Sequence, residues 1–409
     1  MRSSAAAAEN ERHRANAAKA RKRASSFITI DYNNASTMYF SIFGRAHRFL
    51  RPAILTGEDA MRSFTIGTLA AIAVSAFAPA AQAAPCLIVT LTGTQGGPTV
   101  FNGQAGAGTL VRYGDDSNAC GATKLQFDTG RGTNQRLSQI GVSPPQLTAI
   151  FFTHMHGDHT EGFADIMMLR WYLKGPAVDI ICSADAVSTL AINHSCRKFV
   201  MHLADAFIES GEIAERRSED KGRAEGGPAA LAKVMTFEPK DEPQLVWSSG
   251  DVKVSAIRSS HIAGHASYRV DTPAGSVVIG GDASNDTPAP PRNHSTSDQV
   301  EKLAKGADII VHSAIHPVLG PDRGSGFPAK SYYRQSLASD LGAMAQRDGA
   351  KYLMLTHLAP ALGTARHNQW DVPGGPLTEA DYRSATRAGG FTGITIVGTD
   401  LASVRLPAR

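Results

Sequence analysis

The sequence is poor in cysteine, has no internal repeat of fixed period and carries no charge surplus over most of its length. Four cysteines occur in 409 residues, none spaced as C-x-x-C, so a zinc–cysteine site has no support. Charged residues make up 19% of the chain and hydrophobic residues 42%, a balance that excludes a mainly disordered or fibrous protein. The formal charge of +4 points at first to an acidic partner, but its distribution does not. Residues 1–83 carry 11 of the 41 Lys+Arg and 5 of the 37 Asp+Glu, which leaves 30 basic and 32 acidic residues in 84–409. That near-neutral remainder argues against a general attraction to nucleic acid or to an anionic membrane.

What is present begins with a targeting pattern. Met61-Arg62 forms a short basic start, Phe64 to Ala78 is uncharged and mostly small or apolar, and Ala81-Gln82-Ala83 fits an A-x-A cleavage site. This order predicts a secretory signal peptide over 61–83, with the mature chain starting near Ala84. The alternative is a membrane anchor, since the uncharged run is about a bilayer long; the Ala-rich, Leu-poor composition and the cleavage site favour removal. Residues 1–60, Ala/Arg/Lys-rich at first and then without clear period, read as an upstream extension of the frame, disordered if translated. A periplasmic or secreted location follows, with no membrane association in the mature form.

Cys86, Cys120, Cys182 and Cys196 all follow the cleavage site. An even count in an exported chain suggests two disulfides. Of the three pairings, Cys86 with Cys120 and Cys182 with Cys196 is the most local; buried free thiols are the alternative.

Residues 84–409 alternate between strand and helix patterns and predict one layered α/β domain. Strands are expected at 87–91, 108–113, 125–127, 149–152, 178–182, 253–258, 267–271, 276–280, 308–312, 352–356 and 394–398. Helices are expected at 132–140, 162–173, 184–192, 297–305 and 333–348. Residues 210–243, charged and Gly/Pro-rich, read as a surface insertion.

The histidines carry the chemistry. Thr153-His154-Met155-His156-Gly157-Asp158-His159 follows a short apolar strand. Imidazoles and a carboxylate suit zinc, manganese or iron, and Gly157 permits a tight turn that lets them converge. Further candidates sit at the ends of other apolar runs: His261, Asp282 after Gly280-Gly281, His312 after Val311, and His357 after Thr356. Singly, each has a bland reading; Asp282, for example, could be a helix N-cap. Together they predict a metal site. His265, four residues from His261, competes for one ligand position. His316 either lines the pocket or simply precedes Pro317. His194, His202, His294 and His367 lack a strand-end context, and Trp171, Trp247 and Trp370 read as packing, though Trp370 lies in a loop that could face the cleft.

These pieces, with Leu91-Thr92-Gly93-Thr94, Phe127-Asp128-Thr129-Gly130 and a His261 seven residues before Tyr268-Arg269, resemble the metallo-β-lactamase superfamily, and within it the ribonuclease Z and type III arylsulfatase-like branch. The resemblance implies a four-layer αββα sandwich. It implies a first metal held by His154, His156 and His261, a second held by Asp158, His159 and His357, and Asp282 bridging both. The spacing to Tyr268 selects His261 over His265. Two divalent ions, zinc first, with manganese or iron as alternatives, would share a hydroxide nucleophile and offset charge on the ester. Asp158 would also orient the hydroxide. His312 matches a position near the leaving group, for proton donation or transition-state stabilisation, or else orients a metal ligand from behind.

Departures narrow the substrate. Ribonuclease Z inserts a tRNA-gripping arm between its third histidine and bridging aspartate; here only residues 262–281 intervene, and Ser313 replaces a glutamate. tRNA and β-lactams are therefore not expected. The expectation is an exported dinuclear hydrolase of a small anionic ester, either a sulfate ester or a phosphodiester. The alternatives are an RNA or nucleotide phosphodiesterase and a non-catalytic metal-binding protein. Superfamily members often dimerise, so a homodimer is compatible with the resemblance, although no interface is visible in the sequence.

Overall fold

The computed structural model describes residues 83–408. The extension at 1–60 and all of the signal segment but Ala83 lie outside that range. Among the described residues no helix is long and apolar enough to cross a membrane.

Two seven-stranded sheets make the centre of the molecule. The first contains β1 (Pro85–Gly93), β2 (Gly108–Asp115), β3 (Thr123–Phe127), β4 (Ala149–Phe151), β5 (Val178–Ser183) and β6 (Ala232–Phe237). The second contains β7 (Gln244–Ser249), β8 (Val252–Arg258), β9 (Ala266–Thr272), β10 (Gly275–Ile279), β11 (Ile309–Ile315), β12 (Tyr352–Ala359) and β13 (Ile394–Val397). The last strand, β14 (Ser403–Leu406), returns to the first sheet and pairs antiparallel with β1. Strand order is β14-β1-β2-β3-β4-β5-β6 in one sheet and β13-β12-β11-β10-β9-β8-β7 in the other.

Alternation along the strands produces the layers. Leu87, Val89, Leu91, Phe127 and Phe151 face Val254, Tyr268, Val277, Ile279, Val311 and Met354 in the core between the sheets. Their neighbours point outward. Ile150, Phe152 and Ile180 pack on α1 (Thr133–Gln139) and α2 (Phe163–Tyr172) through Leu137, Phe163 and Ile166. Val278, Ile310, Leu353 and Leu355 pack on α3 (Asp298–Ala304), α4 (Ala338–Asp348) and α5 (Glu379–Ala388) through Val300, Leu341 and Tyr382. The order is helix, sheet, sheet, helix, as the αββα expectation requires.

Three local expectations are overturned. Residues 184–192 are not a helix. They form a hairpin in which Ala186–Val187 pairs antiparallel with Asn193–His194, and Ser188 caps its tip by accepting from the amides of Leu190 and Ile192 at 3.2 Å. Those side-chain bonds offer the backbone an alternative to helix. The helix over 333–348 breaks into Ala329–Tyr333 and α4. Between them Ser336 accepts from the Ile315 amide (3.0 Å) and donates its hydroxyl to the Ala283 carbonyl (2.7 Å), so pairing to the end of β11 replaces helical bonds. The 210–243 segment is not all surface insertion, because it contains β6, parallel to β5.

The disulfides are Cys86–Cys120 and Cys182–Cys196, with sequence separations of 34 and 14, the local pairing. Chain-entropy arguments give about 4 and about 3 kcal/mol respectively for loops of these lengths. Replacing Cys182 and Cys196 together with alanine is therefore expected to lower unfolding free energy by about 3 kcal/mol, measurable by urea denaturation. An unchanged midpoint would refute a stabilising role for this bridge.

Candidate metal centre

The site lies where strands of both sheets end. β4 ends at Phe151, and the chain passes through Thr153 into the single helical turn Gly157–Thr160, which brings His154, His156, Asp158 and His159 to one place. β10 ends at Ile279 and turns through Gly280-Gly281 to Asp282. A Cβ on Gly280 would lie 2.1 Å from the His312 ring, and Gly281 has φ of +62°, so only glycine lets the strand pass His312 and present Asp282. His357 projects from β12 with φ of 48°, and Asp128 from the end of β3 with φ of 53°. Left-handed backbone at non-glycine residues is uncommon and clusters at functional sites.

The donor atoms fall into two sets. His154 Nε2 lies 3.0 Å from His156 Nδ1, which is 3.3 Å from His261 Nε2. A tetrahedral ion with bonds of about 2.0–2.1 Å would space its nitrogens by about 3.3 Å. In the second set His357 Nε2 lies 3.1 Å from Asp158 Oδ2, and His159 Nε2 lies 3.8 Å from the same oxygen. Asp282 Oδ2 faces both sets, at 3.7 Å from His261 Nε2, 3.6 Å from His159 Nε2 and 3.3 Å from His357 Nε2.

Proton bookkeeping supports the fit. The Asp128 carboxylate can only accept. It takes the Thr153 amide on Oδ1 (2.8 Å), and the Thr153 hydroxyl (2.7 Å) and His159 Nδ1–H (2.9 Å) on Oδ2. With its own proton so placed, Thr153 Oγ1 accepts from His154 Nδ1–H at 3.0 Å. Both histidines therefore aim Nε2 into the cluster, at His159 as the nitrogen that a bound ion would strip of its proton. His159 Nε2 and Asp282 Oδ1 are buried with no hydrogen-bond partner, a state that is unfavourable unless a ligand satisfies it. Lone-pair nitrogens converging at 3.0–3.3 Å are held together best by cations. The residues present fit two divalent ions.

Electrostatics agree. Burial would raise the Asp282 carboxyl, but His357, His159 and His261 outweigh it and hold it well below the usual carboxylate range. Burial likewise opposes the shift at Asp158, which the imidazoles of His357 and His159 bring down to about 2. At His159 burial works downward, and Asp282 and Asp128 outweigh it to raise the imidazole well above its ordinary value.

Other candidates take different places. His265 packs beside the first set, its ring 5.0 Å from that of His154, but its nitrogens are engaged elsewhere: its Nδ1 meets Ser259 Oγ at 2.8 Å, and its Nε2 accepts the Asp282 amide at 3.2 Å. It fixes the main chain of the bridging aspartate. His312 is fully buried and forms no hydrogen bond with any of the seven site residues; its Nδ1–H donates to the Ser313 carbonyl at 2.8 Å, leaving Nε2 bare. Burial lowers its pKa, so proton donation would require it first to gain a proton. His316 caps the turn Pro317–Leu319, and Trp370 packs edge-on against Phe327 at 5.1 Å. The residue whose role sequence reasoning missed is Asp128. It lay inside a recognised motif, but its bond to His159 spans 31 positions and no periodicity reports it.

Residues 117–316 match the family described as Anti-Pycsar protein Apyc1. The chain is 25% identical over 328 residues to ribonuclease Z of Mycobacterium bovis (strain BCG / Pasteur 1173P2), covering 79% of this chain and 99% of that one. It is 27% identical over 336 residues to ribonuclease Z of Mycobacterium avium (strain 104), covering 78% and 98%. Among solved structures, the metallo-β-lactamase fold protein YhfI from Bacillus subtilis superposes with a TM-score of 0.50 at 17% identity, over 79% of this chain and all of that one. The chain has the metallo-β-lactamase fold, with two donor sets gathered at its strand ends. In sequence it is similar to proteins named ribonuclease Z.

Two outcomes are expected. Asp128→Asn keeps the shape but removes one anionic acceptor, and weakening such a supporting bond lowers metal affinity by about 10–100-fold; competition with a chromophoric chelator reads this directly. Because a raised histidine pKa keeps the proton on below that value and sheds it above, His159 in chelator-stripped protein holds its second proton to higher pH than an ordinary histidine does. Zinc uptake must displace that proton, so affinity rises as pH rises toward the raised His159 value. Calorimetry in buffers of different ionisation enthalpy should record proton release, and none would show that His159 is neutral before binding.

Proposed function

We propose that the protein is an exported dinuclear-metal hydrolase of a small anionic ester, with a phosphodiester favoured over a sulfate ester. Its broad class, a metal-dependent hydrolase acting on ester bonds, is common to its relatives. The observation that carries the finer reading is Asp282 Oδ2, which lies within 3.7 Å of ligand nitrogens in both donor sets. The curated relatives named ribonuclease Z favour the phosphodiester. A tRNA-sized substrate is disfavoured because residues 262–281 are occupied by the β9–β10 hairpin, joined by a two-residue turn. Export is supported by two disulfides, which persist in oxidising compartments.

Ions held by His154, His156 and His261, and by Asp158, His159 and His357, with Asp282 shared, would supply an acidified water and offset charge on the ester oxygen. The chain's own residues do the positioning. Thr153 and Asp128 fix the tautomers of His154 and His159. His265 anchors the Asp282 amide. Asp158, ionised across the neutral range, offers an acceptor that can orient the attacking water by one of its protons.

Asp158→Ala should lower turnover of a diaryl phosphodiester by at least about a hundredfold while circular dichroism remains native. Retained turnover would exclude the mechanism. Diaryl phosphodiester, aryl sulfate and cephalosporin reporters, run side by side with a chelator control, choose the ester class. Two bound ions without turnover of any reporter would favour a non-catalytic metal-binding protein.

A further inference from the structure

A cleft of about 660 Å³ opens from His156 and His261, within the size range of small-molecule sites. One part of its lining is the 186–194 hairpin, which displays Val187, Leu190 and Ile192 at 66%, 78% and 51% exposure. Three large apolar side chains on one short hairpin form a patch of the kind that marks a binding surface. The hairpin is fixed at both ends. Ser188 organises its tip, Ser195 Oγ donates to Asp185 Oδ1 at 2.6 Å across its base, and the Cys182–Cys196 bridge closes it.

The same cleft holds two arginines. Arg258 is paired with Asp241 and Asp286. Arg334 is exposed and lines the cleft, and its guanidinium has no ion-pair or hydrogen-bond partner among the described residues. Its charge is felt at His156 and His261, which places it beside the first donor set. It stands where the expected 333–348 helix breaks, and Arg292 holds the preceding residue by donating to the Tyr333 carbonyl at 2.9 Å. An unpaired cation and an apolar wall thus share one cavity with two metal-ligand histidines.

We infer that the substrate is an amphiphilic ester. Its anionic group is gripped by Arg334, and its apolar leaving group lies against Val187, Leu190 and Ile192. This rests on the hydrolase reading above and names its substrate class. Charge-assisted bonds to an anion and burial of an apolar group are complementary demands that a small, uniformly polar ester does not meet. Arg334 and Leu190 are specificity-determining residues in this assignment, separate from the metal ligands.

The test uses metal-loaded full chain and two readouts. Binding of phenylphosphonate and methylphosphonate is measured by calorimetry, and hydrolysis of bis(para-nitrophenyl) phosphate and dimethyl phosphate by product release. Wild-type protein should prefer the phenyl probe. Leu190→Ser should reduce that preference by about tenfold, the scale of discrimination by apolar pockets. Arg334→Gln should weaken both phosphonates about tenfold or more, with partial rescue by Arg334→Lys and unchanged metal content. Unaltered phenyl preference in Leu190→Ser, or unaltered phosphonate affinity in Arg334→Gln, overturns the inference. Absent hydrolysis by the wild type with the binding pattern intact overturns the hydrolase reading and leaves the amphiphilic site standing.

Discussion

The Asp128 carboxylate is the interaction on which the centre depends. It sits at the end of β3, beside the end of β4, and its two oxygens hold the Thr153 amide, the Thr153 hydroxyl and the His159 imidazole. Thr153 passes the constraint to His154. One buried anion, 5% exposed, therefore decides which nitrogen faces inward in a histidine of each donor set. Imidazole ligands need the correct tautomer before any ion arrives. That requirement explains why the chain accepts left-handed backbone at Asp128, an αL position that aspartate tolerates better than most residues.

Much of the architecture was legible because each central strand is short, buried and punctuated. Val277 and Ile279 face one way and Val278 the other, a period-two pattern that local sequence states directly. The ligands were legible for the same reason: a polar, metal-capable residue at the end of an apolar run stands out. His154, His156, Asp158 and His159 share one turn, and His261, Asp282 and His357 are brought to it by strand ends of the second sheet. The choice between His261 and His265 could not come from periodicity, since both follow β8. Their separation in the structure comes from the Ser259 and Asp282 bonds that draw His265 behind the site.

Non-local pairing made the rest illegible. Residues 184–192 have helix-compatible composition, yet Ser188 and a disulfide hold them as a hairpin. The 333–348 pattern is helical, yet Ser336 is captured by β11 and Ala283. β6 hides in a charged segment because an edge strand buries little; Lys233 and Met235 stay exposed while pairing with β5. β7 is visible only through Trp247, which is buried and donates to Asp179 Oδ2 at 3.0 Å, 68 residues away. Two of the misread segments, the hairpin and the helix break, contribute to the cleft lining. Scaffold and candidate metal ligands follow local pattern, whereas the cleft lining follows long-range contacts.

The Cys182–Cys196 bridge joins the end of β5 to the helix Cys196–Met201, and the whole apolar wall lies in the loop it closes. The two donor sets contain no sulfur. Reduction of the bridge would remove no candidate metal donor and would free the loop that carries the proposed substrate wall. On the proposed reading, forming this bridge during oxidative folding would bear on selectivity more directly than on reactivity.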